Sequence, residues 1–325
     1  MRIRQHDGPA VAEVGDSPDL VDPEDIHAVP LRRPGRVLAA VIVVVLLALF
    51  VYGAATNSAY DWQTVGKYLF DQRVSQAAFI TLLLTAYAMT GAIILGVVLA
   101  VMRLSPNPVL RWVSWLFLWV FRGTPVYVQL VFWGLISTIY QHLDLGVPFV
   151  HQFAHIRTSS FFSYFWLAVI GLTLNEAAYM AEIVRAGITS VDEGQQEAAV
   201  ALGMSWSQTM GRIVLPQAMR VIIPPTGNEL ISMLKTTSLV TAVPYSFELY
   251  SRTRDLAIET FNPIPLLLVA SAWYLLFTSI LMVAQFYLER YFARGASRTM
   301  SARQLQALAA AQGVPGAHPF GGEQR

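Results

Sequence analysis

Residues Ala77–Met102 read AAFITLLLTAYAMTGAIILGVVLAVM, twenty-six residues without a single charge. A bilayer core roughly 30 Å thick takes about 20 residues of helix to cross, so a run of this kind is the mark of a membrane-spanning helix. The composition around it agrees. Of 325 residues, 55% are hydrophobic and only 13% charged, too few charges to coat a water-soluble globule. The formal net charge of +1 offers no basic field, and no nucleic-acid partner is expected. With no cysteine, disulfides, thiolate nucleophiles and cysteine metal sites are excluded, and the redox compartment is not legible.

Comparable runs lie at about 37–55, 112–138, 162–184, 217–240 and 265–288, which predicts an all-α polytopic membrane protein with about six transmembrane helices. Six spans put both termini on one side of the membrane. Placing the termini inside puts fifteen basic residues there, among them Arg103, Arg111, Arg185, Arg212, Arg220 and Arg290, against five outside (Lys67, Arg73, Arg157, Arg252 and Arg254). The remaining two, Arg122 and Lys235, fall within spans. The positive-inside rule therefore predicts a multi-pass protein of the bacterial plasma membrane with both termini cytoplasmic.

Residues 1–36 are polar, acidic and proline-bearing and read as a disordered cytoplasmic tail. The run at 37–55 follows a leader longer than a signal peptide's short basic region, so it reads as a retained additional anchor. In the external connector 56–76, Trp62, Val65, Tyr68 and Leu69 recur at helical spacing, which fits either an interfacial helix or a plain solvated link. His151 and His155 would share a face of a helix, yet no third ligand accompanies them and no metal site is expected. Residues 291–325 form a cytoplasmic tail rich in Ala and Gln after Arg294.

The inside loop 185–216 is neither apolar nor of low complexity. Ser190 with Glu193 has capping-box spacing and predicts a helix to Leu202 that Gly203 ends in a left-handed turn. Ser205 with Gln208 repeats the signal, and Pro216 suits the first turn of the next helix. Two short helices standing proud of the membrane make a knob suited to docking.

Within this loop Glu197-Ala198-Ala199, then Gly203, Ile213 and Leu215-Pro216, resemble the EAA loop of bacterial ABC importer permeases. The stretches Arg122–Leu130 (RGTPVYVQL), Ala178–Ile188 (AYMAEIVRAGI) and Gly227-Asn228-Glu229 leading into Leu234–Leu239 (LKTTSL) look like permeases for polar amino acids (the histidine, glutamate, glutamine, arginine and opine type). The resemblance covers roughly 76–290. It implies a type I ABC importer transmembrane domain over 77–290 whose EAA loop couples to the ATPase through Glu197, Ala198, Ala199, Gly203, Ile213, Leu215 and Pro216. It also implies a second permease chain, identical or a sister, two ABC ATPase subunits carrying ATP and Mg, and an extracytoplasmic solute-binding protein. The first span is an addition to that family's usual five, and Thr236 stands where many relatives carry Asp.

A charge at mid-bilayer is costly and normally faces protein or an aqueous cavity. Glu176, Lys235, Glu229 and Arg122 are such residues, and Pro224, Pro225 and Gly227 interrupt the fifth span just before Glu229 and Lys235, as a broken helix near a midplane site would. A zwitterionic amino acid needs a cation for its carboxylate and an acceptor for its ammonium. Lys235 and Glu176 would serve, with Asn175, Asn228 and Thr236 nearby; the alternative is that the two charges only brace helices. Arg122 is expected to bond carbonyls freed at the Gly-Thr-Pro break, and Glu182 to pair with Arg185. No G-x-x-x-x-G-K-[ST] loop occurs, so the chain is expected to bind no cofactor and to hydrolyse no ATP itself. The reading is a permease subunit that moves a polar amino acid inward by alternating access, the rival being an ion-driven secondary transporter, which has no use for an EAA loop.

Overall fold

The computed structural model describes residues 34–147, 151–157 and 162–293. Both tails expected from the sequence lie largely outside these residues. Helix α1, Pro34–Thr56, occupies the first expected span and belongs to a unit of its own that ends at Asn57. Its large apolar side chains, Val41, Leu46 and Phe50 among them, are exposed, as lipid-facing residues are.

The second unit begins with a short turn at Ser58–Tyr60 and α2, Trp62–Leu69. Asp61, in the left-handed region at φ 36°, caps α2 by accepting the Thr64 N–H. The apolar face of α2 is turned to protein. Tyr68, Val65 and Leu69 pack with Val74, Leu249, Leu266 and Val269, and Trp273 Nε1 donates to the Leu69 carbonyl at 2.8 Å.

Then come α3 (Gln72–Leu104), α4 (Pro108–Gly123), α5 (Val126–Gly134) and the single turn α6 (Ile136–Ile139). Strands β1 (His142–Val147) and β2 (His151–Arg157) form an antiparallel hairpin that pairs His142 with Arg157 and Asp144 with His155, with a bulge after Leu145. This hairpin is the one departure from an all-helical fold among the described residues. Because His151 and His155 lie in a strand, the helical face proposed for them does not exist.

Helix α7 (Tyr164–Thr189) leads to the short helices α8 (Glu193–Ala201) and α9 (Trp206–Thr209). A π turn at Met210–Val214 joins α9 to α10 (Leu215–Thr236). A 3-10 turn at Thr237–Ala242, α11 (Leu249–Thr260) and α12 (Pro263–Ala293) complete the chain's described part.

By length and hydropathy, α1, α3, α7 and α12 each qualify as spans, and α4 and α5 qualify only together, as a pair bent by 99°. The helix expected at 217–240 is α10, which is long enough but too polar to face lipid alone. It packs instead against α7, α12 and α3. The centre of the bundle is the α3–α7 crossing, where small residues let backbones approach. A Cβ on Gly96 would lie 2.6 Å from the Met180 Cβ, and Ala92, Ala177, Ala178 and Ala181 line the same seam. Buried Glu248 caps α11 by accepting the Ser251 N–H. It also takes hydroxyl bonds from Thr81 on α3 and Tyr274 on α12, tying three helices together.

Candidate functional site

The broken helix lies in the third span, not the fifth. Proline 125 has no N–H and disfavours helix in the residue before it, so α4 stops at Gly123 and α5 leaves at a sharp angle. The freed carbonyls are taken by an amide, not by Arg122. Gln129 Nε2 lies 3.0 Å from the Phe121 carbonyl, 3.1 Å from that of Thr124 and 2.7 Å from Thr124 Oγ1. Asn175 Nδ2 adds bonds of 3.1 Å to the Phe121 carbonyl and to Gln129 Oε1. Arg122 instead lays its guanidinium over the Tyr179 ring, 5.5 Å from its centre. Prolines 224 and 225 leave α10 continuous, and Gln285 Nε2 from α12 donates to the Pro224 carbonyl at 2.8 Å.

Beside the bend lies a cavity of about 290 Å³. Two helical stripes face across it. Leu172, Asn175, Glu176 and Tyr179 come from α7, and Glu229, Ser232, Met233 and Thr236 from α10; both follow the i, i+3, i+4, i+7 spacing of one helix face. Glu176 and Glu229 bring two carboxyl groups into this one lining, one from each helix. Glu176 is buried, and its Oε1 has no hydrogen-bond partner. Such a group is costly unless a ligand or water completes it.

Glu176, Asn175 and Thr236 are thus brought together as expected, while Lys235 and Asn228 are not. Lys235 precedes Thr236 by one residue and is turned about 100° around the helix from it. It lines a separate cavity of about 420 Å³ with Tyr250, Ser271 and Tyr274. Asn228, exposed, stands in the same relation to Glu229. The zwitterion clasp of Glu176 with Lys235 is therefore not formed within this chain. Glu229, not Lys235, lies in the lining beside Glu176, and the repeated stripe spacing is the signal that distinguishes the two. Glu182 does pair with Arg185, at 2.7 Å.

The knob at 185–216 is built of two short helices as expected, with one cap reassigned. Asp192 caps α8, accepting the Gly194 N–H at 2.7 Å, whereas Ser190 Oγ turns back to donate to the Gly187 carbonyl. Gly203 ends α8 at φ 76°. Its N–H bonds the Val200 carbonyl, and the Met204 N–H bonds that of Ala199, a Schellman closure that needs a left-handed residue. The Ser205–Gln208 capping box is formed.

Glu197 and Ala198 face outward, but Ala199 is buried inside the knob. Ile213 is half-buried, and Leu215 and Pro216 are exposed. The prominent surface residues were not singled out from the sequence: Leu202 is 82% and Trp206 73% exposed. Apolar side chains standing in water at the tip of a polar loop mark a protein contact. Pro216 follows a π turn in which the Leu215 N–H reaches the Met210 carbonyl, so the helix runs on from α9 into α10 without a hinge.

A membrane bundle with an acid-lined cavity between its helices and an apolar knob at one end has the parts of a transporter's membrane subunit, built to pass a solute and to be driven by another protein. The chain belongs to the family described as the binding-protein-dependent transport system inner membrane component, whose profile matches residues 92–294. It is the permease component of an ABC importer, not a hydrolysing enzyme, and it works with ATPase partners in the inner membrane.

Among its relatives, the arginine transport system permease protein ArgU of Corynebacterium glutamicum is 59% identical over 304 residues, covering 93% of this chain and 94% of that protein. The arginine transport system permease protein ArtQ of Bacillus subtilis is 34% identical over 62% of this chain and 84% of its own length. The crystal structure of an amino acid ABC transporter with histidines superposes with a TM-score of 0.56 at 30% identity, covering 67% of this chain and 94% of that one. An inward-facing MetNI methionine ABC transporter shares the fold, with a TM-score of 0.52 at 16% identity, over 68% of this chain and 97% of its own.

Proposed function

We propose that this permease imports a cationic amino acid of the arginine type. The observation that carries the reading is the pair of carboxyl groups, Glu176 and Glu229, on facing walls of one cavity, with an oxygen of Glu176 left unpartnered. A guanidinium presents a planar fork of donors that matches carboxylate oxygens, whereas a neutral glutamine side chain would leave two acids facing each other uncompensated. The hydroxyls of Ser232, Thr236 and Tyr179 are the polar contacts available to the rest of the substrate. Two relatives named for arginine support the same substrate.

The working complex on this reading pairs two permease chains, identical or sister, with two ATPase subunits that hold ATP and Mg, and receives substrate from an extracytoplasmic binding protein. The knob seats on the ATPase through Glu197, Ala198, Leu202 and Trp206, with Ala199, Gly203, Ile213, Leu215 and Pro216 shaping it. Both termini and the knob are cytoplasmic, an orientation supported by the fifteen-to-five distribution of basic residues.

The test is uptake into vesicles that hold the complete transporter. Labelled arginine should enter with ATP, and unlabelled lysine should compete where glutamine does not. Preference for glutamine would overturn the substrate. Uptake that survives ATP depletion and collapses with the ion gradient would overturn the driving force.

A further inference from the structure

Arg122 has no carboxylate partner among the described residues. It lines a third cavity, of about 330 Å³, together with Arg103, Trp115, Trp119 and Glu182. This cavity is distinct from the acid-lined one, and its charge is opposite. The one acid in its wall, Glu182, accepts both guanidinium bonds of Arg185 on one oxygen, at 3.0 and 2.7 Å. With Glu182 paired to Arg185, Arg103 and Arg122 leave the cavity lining net positive. Arg103 makes one long contact, 3.5 Å, to the Arg111 carbonyl, which leaves its charge unmet.

The cavity opens on an exposed, tryptophan-bearing side of the bundle. Trp112, Trp115 and Trp119 recur at i, i+3, i+7 on α4 and all three are exposed, while Trp115 and Trp119 stack with their planes 11° apart. The cavity runs inward from the helix ends: Arg103 sits one residue from the end of α3, Glu182 seven residues, roughly 10 Å of helix rise, from the end of α7, and Arg122 deeper, beside the bend at the far end of α4. The ends of α3 and α7 both adjoin the knob.

We propose that this cavity binds the phosphate of an anionic phospholipid in the leaflet next to the knob, with Arg103 and Arg122 on the phosphate and the acyl chains along the tryptophan stripe. Unpaired guanidinium groups inside a bilayer need an anion, and basic pockets between helices are where anionic headgroups bind. Tryptophan rings beside the arginines suit the boundary between headgroup and chain. Nothing in the transport reading uses this site.

The test takes the purified full-length chain through native mass spectrometry after incubation with phosphatidylglycerol or phosphatidylcholine. The wild-type chain should retain one phosphatidylglycerol and no phosphatidylcholine. Arg103→Gln and Arg122→Gln should each weaken retention roughly tenfold, as expected for the loss of one charge-assisted bond, and Arg122→Lys should keep most of it. Unchanged retention in both glutamine variants would overturn the site, as would displacement of the lipid by millimolar inorganic phosphate. Where either variant fails to fold, Trp119→Ala decides: its ring is exposed, so folding should persist while retention falls, and undiminished retention counts against the proposal. If Trp119→Cys in this cysteine-free chain instead forms an interchain disulfide, a second copy covers this face and the lipid assignment is wrong.

Discussion

Asn175 donates its side-chain amide to the Gln129 side chain at 3.1 Å, and through that bond α7 holds the bend between α4 and α5. Asn175 thus lies on the cavity wall while its N–H groups are committed elsewhere, to Gln129 and the Phe121 carbonyl. Gln129→Leu should orphan the Thr124 carbonyl and one N–H of the Asn175 amide, and leave the Phe121 carbonyl to Asn175 alone. At about 1–3 kcal/mol for each buried polar group left unpaired, the purified chain should melt several degrees lower. An unaltered melting curve would show that the bend is held by something other than this amide.

Glu176 and Lys235 lie on different cavities, so their substitutions should act independently. Glu176→Gln should raise the arginine concentration needed for half-maximal uptake by roughly tenfold or more, the loss of one charge-assisted bond. Lys235→Met should leave that concentration unchanged, and the double variant should reproduce the single effects added together within about 0.5 kcal/mol. Recovery of wild-type uptake in the double variant would reinstate a direct pair between the two.

For the knob, Leu202→Asp and Trp206→Ala should leave the chain inserted in the membrane but reduce the ATPase that copurifies with it, because both side chains stand in water until a partner covers them. Gly203→Asp should act differently. At φ 76° a side chain costs about 1 kcal/mol or more, so the knob is misaimed even though its contact residues are present. Full ATPase retention and transport in all three variants would remove the docking role.

How much of this could be read from the sequence depends on what each feature required. The spans and the knob were legible because hydrophobic period and capping signals are local, and Gly203, Ser205 and Gln208 do what their positions promised. Asp192 displaced Ser190 as a cap because two oxygen-bearing side chains stand within two residues of each other just before the helix and only geometry chooses between them. Two mid-membrane charges of opposite sign invited pairing, yet side-chain direction on a helix advances about 100° per residue, and that rotation sends Lys235 and Thr236 to different cavities. The prolines misled for a related reason: Pro125 breaks its helix and Pro224 does not, and the carbonyls at the two places are met by different partners, Gln129 from the next turn with Asn175 far along the chain in one and Gln285 in the other.

Orientation is testable with single cysteines, since the chain has none. A cysteine at Gly194 should resist an impermeant thiol reagent applied to intact cells and react once the membrane is opened, while one at Tyr60 should react from outside at once. Labelling of position 194 in intact cells would reverse the assignment.

The π turn that carries the chain from α9 into α10 makes one uninterrupted rod from Trp206 to Thr236. Trp206 and Glu229 are twenty-three residues apart on it, roughly 35 Å of helix rise. A displacement of the ATPase surface under Trp206 would therefore arrive at the cavity as a shift or roll of the same rod, without passing through a flexible joint. The wall bearing Glu229, Ser232 and Thr236 would slide past the wall bearing Glu176, so the grip on a cationic side chain loosens in step with the motion of a protein on the far side of the headgroups.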